Sequence, residues 1–103
     1  MNRFVLDEDP RIAAQYHCDK HVVKMILEEA QMLSTVHRMF GYDGDELYKA
    51  THRNHPCTRW VAESRENYEW AYSLFVELCD EYTFRYNKIH KTSRLIEPLW
   101  AVP

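Results

Sequence analysis

The sequence predicts a single all-α domain, residues 1–103, with two long packed helices, a short N-terminal arm and a shorter C-terminal helical element. A length of 103 residues, of which 46% are hydrophobic and 28% charged, is typical of one domain around one core. Two Gly and four Pro are too few for a turn-rich sandwich or barrel. Long stretches without either residue favour helices instead.

The first long helix is predicted from Pro10 to about Phe40. Residues 1–6 form a short extended arm before it, and Asp9 supplies a capping acid ahead of a proline at the first helical position. Gly41 predicts a left-handed stop at the other end. A helix of about 30 residues, or about 45 Å, is longer than most globular helices. A break within it is therefore an open alternative, although no residue shows where it would fall.

The second long helix is predicted beyond Pro56. The stretch from Glu46 to Pro56 has weak periodicity and predicts a loop or a short helix. Beyond it, apolar and aromatic residues recur at intervals of three and four. They are Trp60, Tyr68, Ala71, Phe75, Leu78 and Tyr82, with Ser64 at the same spacing.

Charge and cysteine content exclude several classes of protein. The formal net charge of −3 excludes a positive field over the whole molecule, so a site for a polyanion has to be a local patch. Cys18, Cys57 and Cys79 are odd in number and lack CxxC spacing, which predicts reduced, mostly buried thiols. Because the sequence has neither a signal-peptide pattern nor a long apolar run, we expect a cytoplasmic protein without membrane contact.

One face of the first helix carries a polar stripe. Its members lie within about 80° of one another on a helical wheel. They are His17, His21, Lys24, Glu28, Gln31 and Thr35. The opposite, core-facing side is predicted to hold Ile12, Val23, Ile26, Ala30 and Leu33. The stripe is either a solvated surface or a titratable functional cluster.

Two kinds of chemistry are compatible with the stripe. His17 and His21, at i and i+4, would bind a metal together with Glu28, but residues 18–20 are Cys-Asp-Lys and do not complete an HExxH motif. Amine catalysis would use Lys24 or the α-amine of the chain. The α-amine is better suited, because its pKa of about 7.7–8.0 leaves it partly neutral at cytosolic pH.

Two segments combine positive charge with aromatic residues and contain no acid. The first basic segment, residues 48–60, includes Lys49, His52, Arg53, Asn54, His55, Arg59 and the aromatic residues Tyr48 and Trp60. The second basic segment, residues 85–94, includes Arg85, Lys88, Lys91 and Arg94. In nucleic-acid-binding proteins, cations of this kind contact phosphates and aromatic side chains stack on bases. Trp60 itself is predicted to lie in the core. Together with His17 and Lys24, these segments predict a nucleic-acid interface.

The sequence Cys18-Asp-Lys-His21-Val-Val, followed by Glu28 seven residues after the histidine, resembles the endonuclease V type pyrimidine-dimer DNA glycosylases. The segments Asn54-His55-Pro56 with Arg59-Trp60, and Asp80-Glu81 with Tyr-Asn-Lys-Ile89, are similar to later segments of that family. The His-Cys-Asp-Lys-His pattern also resembles a set of small phage proteins.

The resemblance implies a DNA-repair glycosylase with abasic-site lyase activity on double-stranded DNA that carries a pyrimidine lesion. The N-terminal amine, on Met1 or on Asn2 after Met removal, would attack the sugar, and Glu28 would be the acid or charge stabiliser. His21 would assist nearby, and no metal or other cofactor is expected. The family's two arginines fall on Leu27 and Gln31, so that Lys24, Arg53 or Arg59 would supply those contacts.

Two alternatives remain at this stage. The first is a non-catalytic helical module that binds nucleic acid or a protein, of the kind a phage encodes. The second is a small metal-dependent hydrolase built on His17, His21 and Glu28.

Overall fold

The computed structural model describes residues 8–103 and confirms the all-α fold class. Its segments are α1 (Pro10–Tyr16), α2 (Asp19–Met39), α3 (Pro56–Glu63), α4 (Arg65–Tyr86) and a C-terminal 3₁₀ helix (Lys91–Leu95). No strand occurs in this range. The helices α2 and α4 are the two long packed helices, and the 3₁₀ helix is the shorter element. The predicted arm of residues 1–6 lies outside the described residues.

The prediction of one helix from Pro10 to Phe40 was wrong, because the helix breaks at His17 and Cys18. Both residues have extended backbone, with ψ angles of 137° and 161°. The ring Nδ1 of His17 lies 2.7 Å from the Ala13 carbonyl, which in a continuous helix would accept the backbone N–H of His17. That N–H bonds to the Ala14 carbonyl instead. The side chain therefore takes the place of a backbone hydrogen bond and ends α1.

The start of α1 and the end of α2 match the signals in the sequence. Asp9 caps α1, and its carboxylate accepts the backbone N–H of Arg11 at 2.8 Å. Gly41 follows the end of α2 with a φ of +106°, as predicted. Its N–H bonds to the Arg38 carbonyl at 3.1 Å.

The second predicted helix is also two helices, separated at Ser64. The backbone of Ser64 is extended, and its hydroxyl accepts the N–H of Asn67 at 3.1 Å, which caps α4. The side-chain amide of Asn67 donates to the Trp60 carbonyl at 2.7 Å and so satisfies the end of α3. Residues 46–55 form a loop, and Pro56 is the first residue of α3.

The core lies mainly between α2 and α4, with α1 and α3 also packed against α4. It includes Met25, Ile26, Ala30, Leu33, Tyr68, Leu74, Phe75 and Leu78. Val23, predicted as a core residue, is 40% exposed, because the buried side of α2 is centred nearer Val22 and Glu29 and Val23 lies at its edge. Ile12 is half-buried. No helix within residues 8–103 is long and apolar enough to cross a membrane.

The prediction of mostly buried thiols was wrong. All three cysteines are free, but only Cys79 is buried, and burial raises the pKa of its thiol to about 12. Cys57 is half-buried in the first turn of α3. Cys18 is exposed because the break places it at the start of α2.

The C-terminal tail is held on α2 and α4 by tyrosine hydroxyls. Tyr68 donates to the Leu99 carbonyl at 2.6 Å, and Nε2 of His37 lies 2.7 Å from the same hydroxyl. Burial lowers the pKa of His37, and a hydrogen bond with the Ala101 backbone raises it in part. Tyr72 donates to the Ile96 carbonyl. The buried side chain of Leu99 completes the attachment of the tail.

We expect Ser64→Ala to lower the free energy of unfolding by about 1 kcal/mol, because it removes the cap of α4. Ser73→Ala is the matched control, since Ser73 is exposed within the same helix and should change stability by less than about 0.5 kcal/mol. Urea denaturation of both variants measures the difference. Equal stability of the two variants would contradict a capping role for Ser64.

Candidate active site

Five members of the polar stripe lie on α2, and their exposure differs along the helix. Lys24 is exposed, His21, Glu28 and Gln31 are half-buried, and Thr35 is fully buried. The interpretation of the stripe as an entirely solvated surface is therefore wrong. We call the part formed by His21, Lys24, Glu28 and Gln31 the accessible face of α2.

His17 does not belong to this face. It is 3% exposed and caps α1, so that the periodicity of α2 does not set the direction of its side chain. The prediction that His17 contacts nucleic acid is therefore not carried further. Among residues 8–103, no group of three or more His, Cys, Asp or Glu side chains is arranged to hold a metal. The metal-hydrolase alternative based on His17, His21 and Glu28 gains no support.

The first basic segment meets α2 at the buried Thr35, one turn beyond the end of the accessible face. The hydroxyl of Thr35 accepts the backbone N–H of Thr51 at 3.1 Å and donates to the Gln31 carbonyl at 2.8 Å. Thr35 lies seven residues after Glu28, a separation of about 10 Å along a helix. A hydrogen bond that no sequence pattern indicated thus joins two motifs that are far apart in the sequence.

Further contacts hold the loop before Thr51 against α2. The guanidinium of Arg38 donates to the carbonyls of Gly44, Leu47 and Tyr48 at 2.7–2.9 Å. His52 has a left-handed backbone with a φ of 50°. The loop before Thr51 is therefore fixed against α2, and the residues that follow it, 52–54, are exposed.

Most predicted contacts of the first basic segment are on the surface. Lys49, Arg53, Asn54 and Arg59 are exposed. His55 is half-buried, and its Nδ1 accepts the backbone N–H of Cys57 at 3.1 Å, which caps α3. His55 thus has a structural role that the sequence did not indicate.

The second basic segment meets α2 where the 3₁₀ helix packs on it. His90 caps this helix, and its Nδ1 accepts the backbone N–H of Thr92 at 3.1 Å. The ring also packs edge-on against Tyr82, with 5.0 Å between centroids. Burial lowers the pKa of His90, and the nearby Val23 backbone raises it in part. The exposed cations Lys88 and Lys91 are neighbours of His90 in the sequence and so lie close to this contact.

Arg85 differs from the other cations of that segment. Its guanidinium bonds to Glu81 at 2.9 Å, to Asp19 at 3.0 Å and to the Gln15 carbonyl at 3.0 Å. Burial acts to lower the pKa of Arg85, but the hydrogen bonds and charges of Glu81 and Asp19 outweigh burial and raise it. The structure thus gives Arg85 three protein partners, and its predicted contact with nucleic acid remains untested.

Glu29 is a buried acid that the sequence analysis missed. It follows Glu28 directly but lies on the core-facing side of α2 and is 0% exposed. A buried carboxylate needs polar or charged partners that replace its hydration. The signal was present in the sequence, since position 29 falls between Val22 and Val36 on the helical wheel.

Glu8, the first residue that the structure describes, lies beside α3. Nε1 of Trp70 donates to the Glu8 carbonyl at 2.7 Å. Glu8, Trp60 and Trp70 line one apolar cavity of about 630 Å³, together with Pro56 and Cys57. Trp60 is 38% exposed and packs edge-on against Trp70, so the prediction that it is a core residue was wrong. Met1 and Asn2 lie outside the described residues.

Comparison with known proteins decides the family. A family model described as pyrimidine dimer DNA glycosylase matches residues 1–94. The chain belongs to this family. The match includes the polar stripe and both basic segments. No curated protein and no solved structure matches the chain.

Membership in the pyrimidine dimer DNA glycosylase family implies DNA with pyrimidine lesions as the substrate. On α2, Leu27 and Gln31 occupy the positions at which the resemblance placed arginines. Leu27 is 39% exposed, and Lys24 is an exposed cation one turn before Glu28. The described residues therefore offer Lys24 as the cation on α2 nearest in sequence to Glu28.

We expect Thr35→Val to lower the free energy of unfolding by about 1–3 kcal/mol and to speed hydrogen exchange at the Thr51 amide, which loses its acceptor. Ser34→Ala is the matched control. Ser34 is equally buried, but its hydroxyl has no hydrogen-bond partner within residues 8–103, so its removal should be nearly neutral. Unchanged exchange at Thr51 in the valine variant would show that Thr35 does not hold the segment.

Proposed function

We propose that this protein is a glycosylase and abasic-site lyase that uses the α-amine of the chain as nucleophile and Glu28 as acid. Family membership supports the glycosylase activity. The geometry of α2 supports the choice of Glu28, because this acid lies on the accessible face rather than in the core. Glu29, the neighbouring acid, is fully buried and does not reach a DNA surface.

One observation carries the proposal. Both acid-free basic segments lie against α2, the first through the hydrogen bond between Thr35 and Thr51 and the second through the packing of the 3₁₀ helix on α2 beside Val23. Glu28 lies between these two attachment points in the sequence of α2. A carboxylic acid with phosphate-binding cations at both ends of its helix is suited to act on a sugar within a DNA strand.

The reaction begins when the neutral amine attacks C1′ of the damaged nucleotide. The N-glycosidic bond breaks, and its electron pair leaves with the base. The attacking amine loses one proton as its bond to C1′ forms. Glu28 protonates the ring oxygen O4′ or stabilises the cation that forms, and the C1′–O4′ bond opens to leave an iminium at C1′. The iminium makes a C2′ proton acidic, and loss of that proton expels the 3′ oxygen with its phosphate and cuts the strand. His21, half-buried one turn before Lys24, is placed to assist proton transfer.

The proposed DNA interface consists of exposed or half-buried cations and polar groups around α2. They are Lys24, Lys49, Arg53, Asn54, His55, Arg59, Lys88 and Lys91. Because the net charge is −3, this local patch has to overcome an unfavourable overall field. Binding should therefore be weak and strongly dependent on salt.

The choice of nucleophile rests on the ordinary pKa values of amines. The α-amine of a chain is a better nucleophile than a lysine side chain near neutral pH, because its lower ordinary pKa leaves more of it neutral. This difference supports the α-amine over a lysine such as Lys24.

We expect Glu28→Gln to slow base release from a duplex that contains a pyrimidine dimer by about 10²–10⁴-fold, the contribution typical of a positioned acid or base. The protein should also form a covalent adduct with an abasic-site duplex when borohydride reduces the imine. Glu97→Gln is the control, because Glu97 is exposed and lies outside the family match. It should retain the parent rate.

Base release by Glu28→Gln at the parent rate would remove Glu28 from the reaction. DNA binding without base release or adduct formation would instead favour the non-catalytic binding module. Activity that disappears with a chelator and returns with metal would favour the hydrolase alternative.

A further inference from the structure

We propose that Arg85 is a positioning residue that fixes α1 relative to α2, and thereby fixes the point at which the chain enters α1 relative to Glu28. This inference rests on the proposed function for its catalytic consequence. The structural part, a clamp across the break at His17 and Cys18, is independent of that function.

The two helices that meet at the break are oriented mainly through α4 rather than through each other. Each packs chiefly on α4, with α1 and α2 both making extensive contact with that helix and less with each other. The two residues that connect them are extended rather than helical. A group on α4 that bonds both helices is therefore well placed to set the angle between them.

Arg85, in the last turn of α4, is such a group. Its Nη2 donates to the Gln15 carbonyl in α1, and its Nη1 donates to the Asp19 carboxylate at the first position of α2. Its Nε donates to Glu81 one turn earlier on α4, which fixes the guanidinium plane. The side chain is only 18% exposed.

These contacts use the geometry of arginine as well as its charge. A planar guanidinium directs its donors in fixed directions, and here Nε and both Nη atoms point to three different acceptors. A lysine ammonium is a point charge and cannot hold the same three groups at once. The two carboxylates beside Arg85 also make its surroundings unfavourable for a phosphate. Arg85 is thus better suited to a clamp than to a DNA contact.

The clamp matters because the proposed reaction takes its two groups from opposite sides of the break. The amine is carried by the chain that enters α1 at Glu8, whereas Glu28 lies on α2. A displacement of about 1 Å between catalytic groups can cost about 10²-fold in rate. A change in the angle between α1 and α2 would move the base of the arm relative to Glu28.

The test compares Arg85→Lys with Arg65→Lys in the full-length protein. Arg65 is a matched control, because it lies on the same helix and bonds to Glu69 four residues away, but it is exposed and does not bridge helices. At saturating abasic-site duplex, Arg85→Lys should slow borohydride trapping at least tenfold and leave the Kd for DNA within about twofold. Hydrogen exchange at the amides of residues 21 and 22, in the first turn of α2, should become faster. Arg65→Lys should match the parent in every measurement.

If Arg85→Lys shows the same borohydride trapping and the same hydrogen exchange as the parent, Arg85 is not a clamp. A lysine can replace an arginine that only contacts a phosphate, so this result would favour a phosphate contact. Asp19→Asn provides a second test that retains Arg85. The clamp predicts slower trapping for this variant, whereas a phosphate contact predicts tighter DNA binding with unchanged trapping. If the parent protein forms no adduct, the proposed function fails, and exchange at residues 21 and 22 alone decides whether Arg85 is a clamp.

Discussion

The packing of α2 along α4 is the contact on which the rest of the structure depends. It buries the side of α2 that carries Ile26, Ala30 and Leu33, and so requires the opposite side to face outward. Every other element is attached to this pair: α1 and α3 pack on α4, and the 3₁₀ helix packs on α2. The position of Glu28 on an accessible face is therefore a consequence of core formation.

Periodicity and terminal signals predicted the helices well, because both depend on residues close together in the sequence. Gly41 ended α2 as expected, and the spacing of Tyr68, Phe75 and Leu78 matched the buried side of α4. The break at Ser64 was not predicted, and the sequence allowed a break in the first helix without showing its position. At each of them a polar side chain, His17 or Ser64, takes over a backbone hydrogen bond, and this competition leaves no trace in the hydrophobic pattern.

The candidate site was predictable only in its parts. Glu28 and the two basic segments were evident from the sequence, but their convergence depends on contacts between distant residues, such as Thr35 with Thr51. The average charge of −3 also concealed the separation of acidic and basic regions. His90 and Arg85 read as members of a basic segment, whereas their surroundings in the structure give them specific partners on α1 and α2. Such roles follow from three-dimensional neighbours.

The central claim is that the α-amine, rather than a lysine, reacts across the accessible face of α2. The most direct measurement is to trap the protein on an abasic-site duplex with borohydride, digest the complex and locate the adduct by peptide mass mapping, which also identifies the terminal residue. We predict that the adduct lies on the α-amine of the N-terminal peptide. An adduct on the peptide that contains Lys24, or the absence of any adduct, would contradict the claim.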